Sequence, residues 1–555
     1  MSRIAILVAG LSAIALAGAG ADIVGRIDTV GGTTYDRQFN GPVPSWVYYD
    51  PGYGIHVVWT YSAEMSGTTF PDRNTRYNFY DFAAAHWNWI DPDLMQSGVN
   101  IFAERTGLAS FDVNPVTHCV IAGTHVLGSG GLDPIVARDA APGAGIFDYS
   151  NGAPNCSSMV YPRISVSGTG KTHVALTDGE SMGELYHSGI EPWGTWSTPF
   201  HIPPPLPDPG YPAYAIAASK QQPHVCIMWT AVDSEPRRPY YRRSTDDGLT
   251  WLPPDSLSMP PAFHPGSDTT VSIGVNDLYP WYDPDEEDDD INVAAAVYPV
   301  IQGQGQVVPV EIWHWRMGSG WSRVARAECD TAHMAGGIGD AALYASRPTL
   351  GRCAATHQLV CVWEQFDSAN VEPRTGLLRA NIWAARGDSA GTHWGTPVRL
   401  TDPDSTSKRF PCVAGWNVSD TFVVSYEIDG CAGFADAGQG PATANPIAVQ
   451  YVSIESLPPP DAGVAEQQPT AHSIQPLATV VRNVLLIPSS LLSPTSSLLS
   501  LDGRKVLDLR PGANDVRALA PGVYFCRLTA GFASCAPASG VKREASSVTK
   551  VVLTD

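Results

Sequence analysis

A short apolar strand that recurs seven times between residues 55 and 428 constrains the fold of this chain more than any other feature. Five copies are entered through a histidine, at His56, His118, His173, His224 and His357, and two begin at Ile291 and Thr421. A proline in another extended run precedes most copies by about 11 residues, and the copies lie about 60 residues apart in turn-rich sequence. An array of short strands with no intervening helix predicts radial repetition of β-sheets, which is a β-propeller.

Each repeat can be divided into four strands. In the fourth repeat we expect an inner strand over 211–217, a second over Val225–Thr230, a third over 239–243, and an outer strand beginning near Trp251. Outer strands of other repeats also begin at tryptophans, at Trp87, Trp196, Trp321 and Trp394. Seven second strands predict seven blades, with residues 27–35 supplying the outer strand of the last blade and closing the ring. Six blades plus an extra hairpin is the alternative, because the second repeat lacks the proline.

The composition agrees with an all-β fold and divides the chain. Charged residues make up 16 %, and Gly 52, Pro 47, Trp 16 and Tyr 21 fit turns and strands that bury aromatic rings. Residues 475–555 contain nine Lys/Arg and five Asp/Glu, so this segment is basic although the whole chain has a net charge of −21. A proline-rich polar stretch, 456–476, precedes this segment and reads as a linker. We therefore predict a propeller over 22–455 and a small β-sandwich over 477–555.

The N-terminal segment and the net charge indicate where the protein is located and which ligands it does not bind. Met1-Ser2-Arg3, an apolar run over 4–16 and Ala19-Gly20-Ala21 predict a signal peptide at 1–21 and hence secretion. No other stretch is apolar and long enough to span a membrane. The acidic balance argues against nucleic-acid binding. The chain has ten cysteines and no C-x-x-C pair, so the sequence does not support a zinc site. Export would permit disulfides, but the sequence does not show which cysteines would pair.

One motif carries a family resemblance. Ser244-Thr245-Asp246-Asp247-Gly248-Leu249-Thr250-Trp251 resembles the Asp-box of sialidase-like propellers at every defining position: Ser244, Asp246, Gly248, Thr250 and Trp251. It falls between a third and an outer strand. We expect Ser and Asp to bind the backbone of the hairpin, Gly to adopt a positive φ, and Trp to pack between blades. In that family the motif is structural, so it indicates the fold and not an activity.

The resemblance implies a test for sialidase activity. Sialidases of that family use three arginines for the substrate carboxylate, an aspartic acid, and a tyrosine paired with a glutamate. Their first arginine lies on the first inner strand, where this chain has 41–44 without arginine. Arg347-Pro348 and Arg409-Phe410-Pro411 are similar to that run only in late blades. The departure argues against sialidase activity, and no catalytic residue is assigned.

Four other patterns favour structural roles. Residues 179–183, Gly-Glu-Ser-Met-Gly, fit the pattern G-x-S-x-G. A nucleophile elbow needs a helix after it, and here a strand follows, so we expect a hairpin turn. Residues 168–172 resemble the end of a P-loop, yet no helix follows to bind phosphate. The recurring histidines occupy one repeat position, which favours a shared architectural hydrogen bond over metal binding. The acidic stretch 283–290 lacks EF-hand spacing, and we expect a solvated loop, with calcium binding left open.

The C-terminal segment carries a second resemblance, over about 70 residues. It resembles the sorting domain of type IX secretion cargo through Asp502, Gly503, Arg504, Gly512, Asn514, Gly522, Tyr524 and Phe525. One departure is the insert 529–547, which holds Cys535. The resemblance implies a β-sandwich recognised by outer-membrane export machinery. An ordinary accessory sandwich is the alternative.

These observations lead to one reading and one alternative. The chain is predicted to be a secreted or cell-surface seven-bladed propeller of a Gram-negative-type cell, exported through its C-terminal domain. The propeller is expected to bind a glycan or protein ligand without catalysis and without a cofactor or metal. The alternative is a sialidase-like glycoside hydrolase. The identity of the ligand does not follow from the sequence.

Overall fold

The computed structural model describes residues 24–553 with interruptions, and it divides into two compact units, 1–462 and 463–555. The interruptions are 129–130, 152–157, 180–183, 192, 203–212, 231–235, 262–268, 286–289, 330–333, 340–341, 461–478, 482–483, 488–496, 501–503, 511, 521 and 530–545. The predicted signal peptide, 1–21, and most of the predicted linker, 456–476, lie outside the described residues.

The first unit is a ring of seven blades, each built on four antiparallel strands, as the repeats predict, and three of the sheets carry one further short strand. In chain order its strands are β1 (Arg26–Thr33); β2 to β6 in blade 1 (Val47–Asp50, Gly54–Tyr61, Asn74–Asp81, His86–Trp87, Val99–Asn100); β7 to β10 in blade 2 (Ser110–Val113, Val120–Gly128, Gly131–Asp139, Phe147–Asn151); β11 to β14 in blade 3 (Met159–Val166, Thr172–Asp178, Leu185–Ile190, Phe200–Ile202); and β15 to β18 in blade 4 (Tyr214–Ala218, Val225–Thr230, Pro239–Ser244, Asp255–Ser256). Then follow β19 to β23 in blade 5 (Thr269–Tyr282, Ile291–Ile301, Gln304–Gly305, Val310–Arg316, Gly320–Ala327); β24 to β27 in blade 6 (Ala345–Cys353, Gln358–Val371, Leu378–Arg386, Val398–Arg399); and β28 to β31 around blade 7 (Ser407–Val413, Trp416–Asn417, Thr421–Asp429, Asn445–Ser453).

The ring closes with strands from both ends of the unit. β1 pairs antiparallel with β31, from Arg26 opposite Tyr451 to Thr33 opposite Asn445, and so forms the outer strand of blade 7. The short β29 pairs parallel with β24 of blade 6. The predicted closure by the N-terminal segment is confirmed, and six blades are excluded. Closure pairs the edge that an open sheet would expose.

The direction of the strands defines two faces of the ring. Neighbouring strands in a blade run antiparallel, so the turns from the first to the second strand, such as 51–53, lie at one end. We call this end the lower face, and it also carries the turns from the third to the outer strand. The connections from the second to the third strand, such as 430–444, lie at the other end, with the connections between blades. We call that end the upper face.

The recurring prolines mark irregularities of the inner strands. The register shifts between Val160 and Arg163 in β11, between Ser346 and Thr349 in β24, and between Arg409 and Cys412 in β28. A residue with positive φ comes directly before the proline in each: Tyr161 (52°), Arg347 (56°) and Phe410 (54°). Proline has no N–H to donate to the ladder, so a bulge accommodates it.

The core lies between neighbouring blades. The second strands are buried along nearly their whole length, as in β3 and β16, where every residue is buried. Their side chains meet those of the next blade, and Trp59 and Trp363 are fully buried. Both faces of each blade are covered, which explains the nearly continuous apolar runs of these strands.

The largest differences from the sequence prediction concern the outer strands. The fourth begins at Asp255, not near Trp251, and the third is Phe200–Ile202, after Trp196. Trp196 and Trp394 form isolated bridges with Ile190 and Gly387 instead. These indoles pack inward before the strand begins, so the tryptophan marks the approach to the outer strand rather than its start.

The second unit is also all-β in its described part. Its strands are β32 (Thr479–Val481), β33 (Val484–Ile487), β34 (Ser497–Leu499), β35 (Lys505–Asp508), β36 (Gly512–Asp515), β37 (Gly522–Thr529) and β38 (Ser546–Leu553). Five form a sheet in the order β32-β38-β37-β34-β35, and β33 pairs with β36. Across the described residues of both units, no helix has the length and apolar character needed to cross a membrane.

Candidate functional site

A cavity of about 420 Å³ lies on the axis of the ring, and we call it the axial cavity. Inner strands of blades 1 to 5 and the turn after β28 line it, and it extends to lower-face turns at Pro51, His118 and Gln221. It forms because the inner strands of a seven-bladed ring converge without touching across the axis. Its size falls within the usual range of small-molecule sites.

One charged pair lies in its wall. The ammonium group of Lys220, directly after β15, donates to Asp112 Oδ2 at 2.6 Å and to the carbonyl of Val166 at 2.8 Å. Asp112 also accepts from Ser165 Oγ at 3.2 Å and from the Val166 N–H at 2.7 Å. Burial lowers the pKa of Lys220, and the Asp112 charge opposes that shift. The pair joins blades 2, 3 and 4 and places a fixed donor and acceptor beside the cavity.

Aromatic side chains form much of the remaining wall. Tyr48, Tyr279, Trp281 and Trp416 all line the cavity. The indoles of Trp281 and Trp416 are partly exposed, and Gly415 makes room for the first, because a Cβ there would lie 2.7 Å from Trp281 Nε1. Aromatic faces beside a few oriented polar groups are suited to binding the C–H faces of a sugar ring.

The rim is held by contacts between blades. His118 Nδ1 lies 2.9 Å from Asp50 Oδ2, and its ring stacks on Tyr53 with centroids 4.4 Å apart. His357 contacts Asp285 in the same way at 2.5 Å. Two of the recurring histidines thus bind a carboxylate of the preceding blade. The expected shared hydrogen bond does not extend to His56 and His173: His56 contacts Tyr77 at 2.8 Å in its own blade, and His173 contacts Asp247 of the next blade at 3.0 Å.

The late-blade arginines lie buried near the upper ends of their inner strands. Arg409 Nε and Nη2 each lie 3.2 Å from a Glu364 oxygen, and Arg347 Nη1 contacts the same carboxylate. All three side chains are at most 3 % exposed. Burial raises the pKa of Glu364, but the charges of Arg347 and Arg409 outweigh it and hold the pKa below its usual value. Both guanidinium groups are therefore already bound to the same carboxylate of the protein.

The Ser244–Trp251 hairpin connects β17 and β18 at the lower face. Ser244 Oγ donates to Asp246 at 2.8 Å and accepts from the Gly248 N–H at 2.8 Å. Asp246 accepts from the N–H and the hydroxyl of Thr250, at 2.8 and 2.6 Å. Gly248 has φ +77°.

Trp251 extends from this hairpin toward blade 3. Its ring lies edge-on to His187, with centroids 4.8 Å apart. Asp247, from the same hairpin, binds His173 Nε2 of that blade at 3.0 Å. The hairpin therefore ties its own backbone and joins two blades, and none of its residues lines the axial cavity.

The acidic stretch 283–290 is not the solvated loop that the sequence predicts, in the part that the structure describes. Asp283 is fully buried and contacts the Arg352 guanidinium, with Nε at 2.7 Å. Asp285 contacts His357, and Asp290 lies 3.8 Å from Arg316. Basic groups that are distant in sequence bind these carboxylates once the blades assemble.

The predicted sorting-motif residues fall in the second unit. Asp502 and Gly503 lie outside the described residues, and Arg504 precedes β35. Asn514 in β36 is buried, and its amide exchanges two 2.9 Å hydrogen bonds with the Arg510 backbone. Gly512 also lies in β36, and Gly522, Tyr524 and Phe525 lie in β37. Tyr524 donates to the Ala520 carbonyl at 2.8 Å. These contacts stabilise turns, and the sorting role stays a prediction.

The described part of the chain shows no metal-binding cluster and no disulfide among its described cysteine side chains. No group of three or more His, Cys, Asp or Glu side chains there is arranged to hold a metal ion. The cysteines with described side chains are free thiols: Cys119, Cys226, Cys329, Cys353, Cys361, Cys412 and Cys431. Burial raises the pKa of Cys226 and Cys361, as expected for thiols packed in apolar strands.

Sequence reasoning missed the residues of the axial cavity. Asp112 and Lys220 are 108 positions apart, and Trp281 and Trp416 belong to different blades. The sequence signal that could have indicated these residues is their position, because each of the four lies at or just after the end of an inner strand. Such ends converge on the axis of a propeller.

Comparison with known proteins yields structural similarities only. No family model and no curated protein matches the sequence. Among solved structures, the polysaccharide lyase Uly1 is 10 % identical, covers 78 % of this chain and 100 % of its own, and has a TM-score of 0.44. The Streptococcus pneumoniae sialidase NanB is 10 % identical over 78 % of this chain and 71 % of its own, with a TM-score of 0.37. The Aleuria aurantia lectin is 15 % identical over 52 % and 78 %, with a TM-score of 0.32.

The identities and TM-scores of these structures are too low to transfer what those proteins bind or cleave. The chain itself is an all-β protein whose first unit is a seven-bladed β-propeller.

Proposed function

We propose that the propeller is a non-catalytic carbohydrate-binding module, with the axial cavity as its binding site. The observation that carries this proposal is the composition of the cavity wall, where Trp281, Trp416 and Tyr48 accompany the fixed Lys220–Asp112 pair. A sugar ring needs both an aromatic face and oriented donors and acceptors. The volume of about 420 Å³ suits a small saccharide.

The carboxylates of the cavity support binding rather than cleavage. A glycosidase of the usual kind needs two carboxyl groups free to act on the glycosidic bond. Asp112 is held by Lys220, and Asp50 is held by His118. Arg347 and Arg409, the arginines that a sialidase-like reading would use, are bound to Glu364. We therefore expect no release of sialic acid by residues 22–460.

The test combines a glycan array with two indole variants. The purified protein is expected to bind a restricted set of saccharides, and Trp281→Ala and Trp416→Ala should each weaken that binding about tenfold or more. Trp193→Ala, which alters a partly exposed indole outside the cavity, serves as the matched control. Unchanged affinity in both cavity variants at unchanged melting temperature would refute the assignment.

A fluorogenic assay tests the enzymatic alternative. The expected result is no turnover of sialosides or of other glycosides by the propeller. Sialoside turnover that disappears in Arg347→Lys or Arg409→Lys would establish the glycoside hydrolase and overturn the non-catalytic proposal.

We further propose that the protein is secreted and reaches the cell surface through its second unit. The proposal is supported by the signal-peptide pattern of residues 1–21 and by the sorting-domain resemblance of 477–555. Its partner would be the outer-membrane export machinery. A saccharide-binding propeller displayed at the surface would have access to extracellular glycans.

A further inference from the structure

Two arginines on the upper face, Arg73 and Arg105, donate hydrogen bonds only to neutral groups, while the nearby Asp72 carboxylate is bound by Ser62 and the Ala63 N–H and acts on Arg105 through its charge. Arg73 donates through Nε to the Thr106 carbonyl at 2.9 Å and through Nη1 to the Tyr35 hydroxyl at 3.0 Å. Arg105 donates to the carbonyls of Phe70 and Thr69, at 3.0 and 2.8 Å. Within the described ranges, no carboxylate is hydrogen-bonded to either guanidinium.

Most of the buried arginines in the described part of this propeller instead bind a carboxylate, although the buried Arg76 also donates only to amide and carbonyl oxygens. Arg347 and Arg409 bind Glu364, Arg352 binds Asp283, and Arg379 binds Glu372. The chain carries a net charge of −21, so carboxylates are abundant. A charge left without a bonded carboxylate is available to an external anion.

His125 adds a hydrogen-bond donor to the same region. Its Nδ1 accepts from the Tyr161 N–H at 3.3 Å, so a neutral ring carries its proton on Nε2. Among the described residues, Nε2 has no hydrogen-bond partner. Burial, together with the charges of Arg73, Arg163 and Arg105, lowers the pKa of His125 to about 4. At neutral pH the ring is therefore an uncharged donor. The hydroxyl of the neighbouring Thr124 donates to the Gly107 carbonyl at 2.9 Å, which places this end of β8 against the segment that contacts Arg73.

The local backbone fixes these side chains. Gly107 has φ +137°, and a Cβ there would lie 2.9 Å from Arg73 Nε, so only glycine leaves room for the guanidinium. Arg73 also lies over the Tyr35 ring, 5.1 Å from its centroid. Tyr161, which orients His125, has φ 52° and contacts the imidazole edge-on at 5.0 Å.

The group is accessible to solvent. Arg105 is exposed, and Arg73 and His125 are partly exposed. Arg73 and Arg105 belong to the connections 62–73 and 101–109, and His125 lies near the upper end of β8. The axial cavity reaches the turns of the opposite, lower face, so the two places can be tested separately.

We propose that Arg73, Arg105 and His125 form a binding site for an oxyanion, the carboxylate or sulfate group of an acidic saccharide. The saccharide part of this assignment rests on the proposed carbohydrate-binding function; the oxyanion part does not. Guanidinium groups bind carboxylate and sulfate oxygens through paired N–H donors. The imidazole N–H supplies a further donor to the same anion.

The test is calorimetric titration of the full chain with four probes: trigalacturonate, galactose 6-sulfate, neutral galactotriose and inorganic sulfate. The two acidic saccharides should bind more tightly than galactotriose, and inorganic sulfate should compete with them. Arg73→Gln and Arg105→Gln should each weaken binding of the acidic saccharides about tenfold. Arg517→Gln, which alters an exposed arginine paired with Asp515 in the second unit, is the matched control.

The outcomes separate this site from the axial cavity. If Arg105→Gln loses binding of the acidic saccharides and Trp416→Ala keeps it, the oxyanion site is supported even if neutral saccharides do not bind. If only inorganic sulfate binds, and Arg105→Gln weakens it, the oxyanion site stands and its saccharide assignment is wrong. If neither the acidic saccharides nor inorganic sulfate binds, or if both arginine variants bind these probes like the parent, the proposal is overturned. Arg105 is exposed, so its variant is informative even if Arg73→Gln does not fold.

Discussion

Three buried carboxyl groups lie within electrostatic reach of one another near the upper face of blade 7. Asp36 accepts the Ala435 N–H at 2.8 Å through one oxygen, and its other oxygen is buried without a hydrogen-bond partner in the described structure. Burial, with the nearby Asp429 and Asp436, raises the pKa of Asp36 to about 8. Burial also raises the pKa of Glu427 and of Asp429. At neutral pH the folded protein therefore keeps protons that the unfolded chain has released.

This arrangement predicts a loss of stability as the pH rises from about 4, where the unfolded aspartic acid releases its proton, to about 8, where the folded Asp36 does. Between these values only the folded state binds the proton, so each rise in pH favours the unfolded state, and above about pH 8 the loss is complete. Asp36→Asn is neutral at every pH and should flatten the decline, which we compare from about pH 6.5 to 8. We expect the variant to melt at a higher temperature than the parent at about pH 8, with the difference shrinking toward about pH 6.5.

The buried histidines do not disturb this range. Burial lowers the pKa of His56 to about 3 and that of His314 to about 4, so they oppose folding only below about pH 6.5, where the unfolded chain becomes protonated. Glu328→Gln removes a largely exposed carboxylate and serves as the control. Parallel melting temperatures for Asp36→Asn and the parent across about pH 6.5 to 8 would contradict the prediction.

At the scale of a structural element, the Ser244–Trp251 hairpin shows how one motif supports a blade. Its polar side chains bind backbone groups inside the hairpin, while Asp247 and Trp251 contact blade 3. Burial raises the pKa of Asp247, but the hydrogen bond and charge of His173 outweigh this and hold the pKa well below its usual value. The hairpin has no contact with the axial cavity, so its substitution should affect stability alone.

Asp246→Ala should destabilise the propeller by about 1–3 kcal/mol, because it removes hydrogen bonds to Ser244 and Thr250. Saccharide affinity should not change. Chemical denaturation measures the free energy, and titration with a bound glycan measures the affinity. Asp255→Ala, which removes an exposed carboxylate of the same blade that contacts Tyr241, is the control. Lost affinity at unchanged stability would contradict a structural role.

Closure of the ring is the corresponding feature of the whole molecule. β1 reaches blade 7 only because Gly31 leaves space for the buried Trp59 indole; a Cβ at Gly31 would lie 2.3 Å from it. The register of β1 against β31 shifts at this point, between Thr29 and Gly31. The N-terminal strand and blade 1 therefore share one packing constraint.

Gly31→Ala should lower the stability of the ring by about 1–3 kcal/mol, because a methyl group must displace a side chain that is fully buried. Gly52→Ala is a matched control, since a Cβ there meets nothing within 4 Å. Denaturant titration of both variants measures the effect. Equal stability of the two variants would show that β1 does not hold the ring closed as described.

The two units make a separate prediction for truncation. The ring closes within residues 26–453, without any strand of the second unit. Deleting 477–555 should therefore leave a soluble propeller that melts cooperatively and binds saccharide like the full chain. In its native host the truncated protein should remain in the periplasm, if the sorting proposal is right. A truncated protein that reaches the surface would refute the sorting role, and one that fails to fold would refute the independence of the ring.

The sequence by itself determined the repeating architecture, because local patterns carry it. Apolar second strands such as Val225–Thr230 appear where they were predicted, and residues 26–33 complete the last blade. The prolines at Pro348 and Pro411 mark real bulges of inner strands. Periodicity, turn residues and burial on both faces act over a few residues, so they can be recognised without the fold.

Only the tertiary structure decided which charges are paired and which are available. Glu364 binds Arg409, 45 residues away, and Asp283 binds Arg352, 69 residues away. Lys220 binds Asp112, 108 residues away, whereas Arg73 and Arg105 donate to backbone carbonyls and, among the described residues, to no carboxylate. These outcomes depend on the closure of the ring, which brings the ends of strands from different blades together on one axis. The spacing of residues along the sequence does not indicate which strand ends converge, so only the folded chain shows these sites.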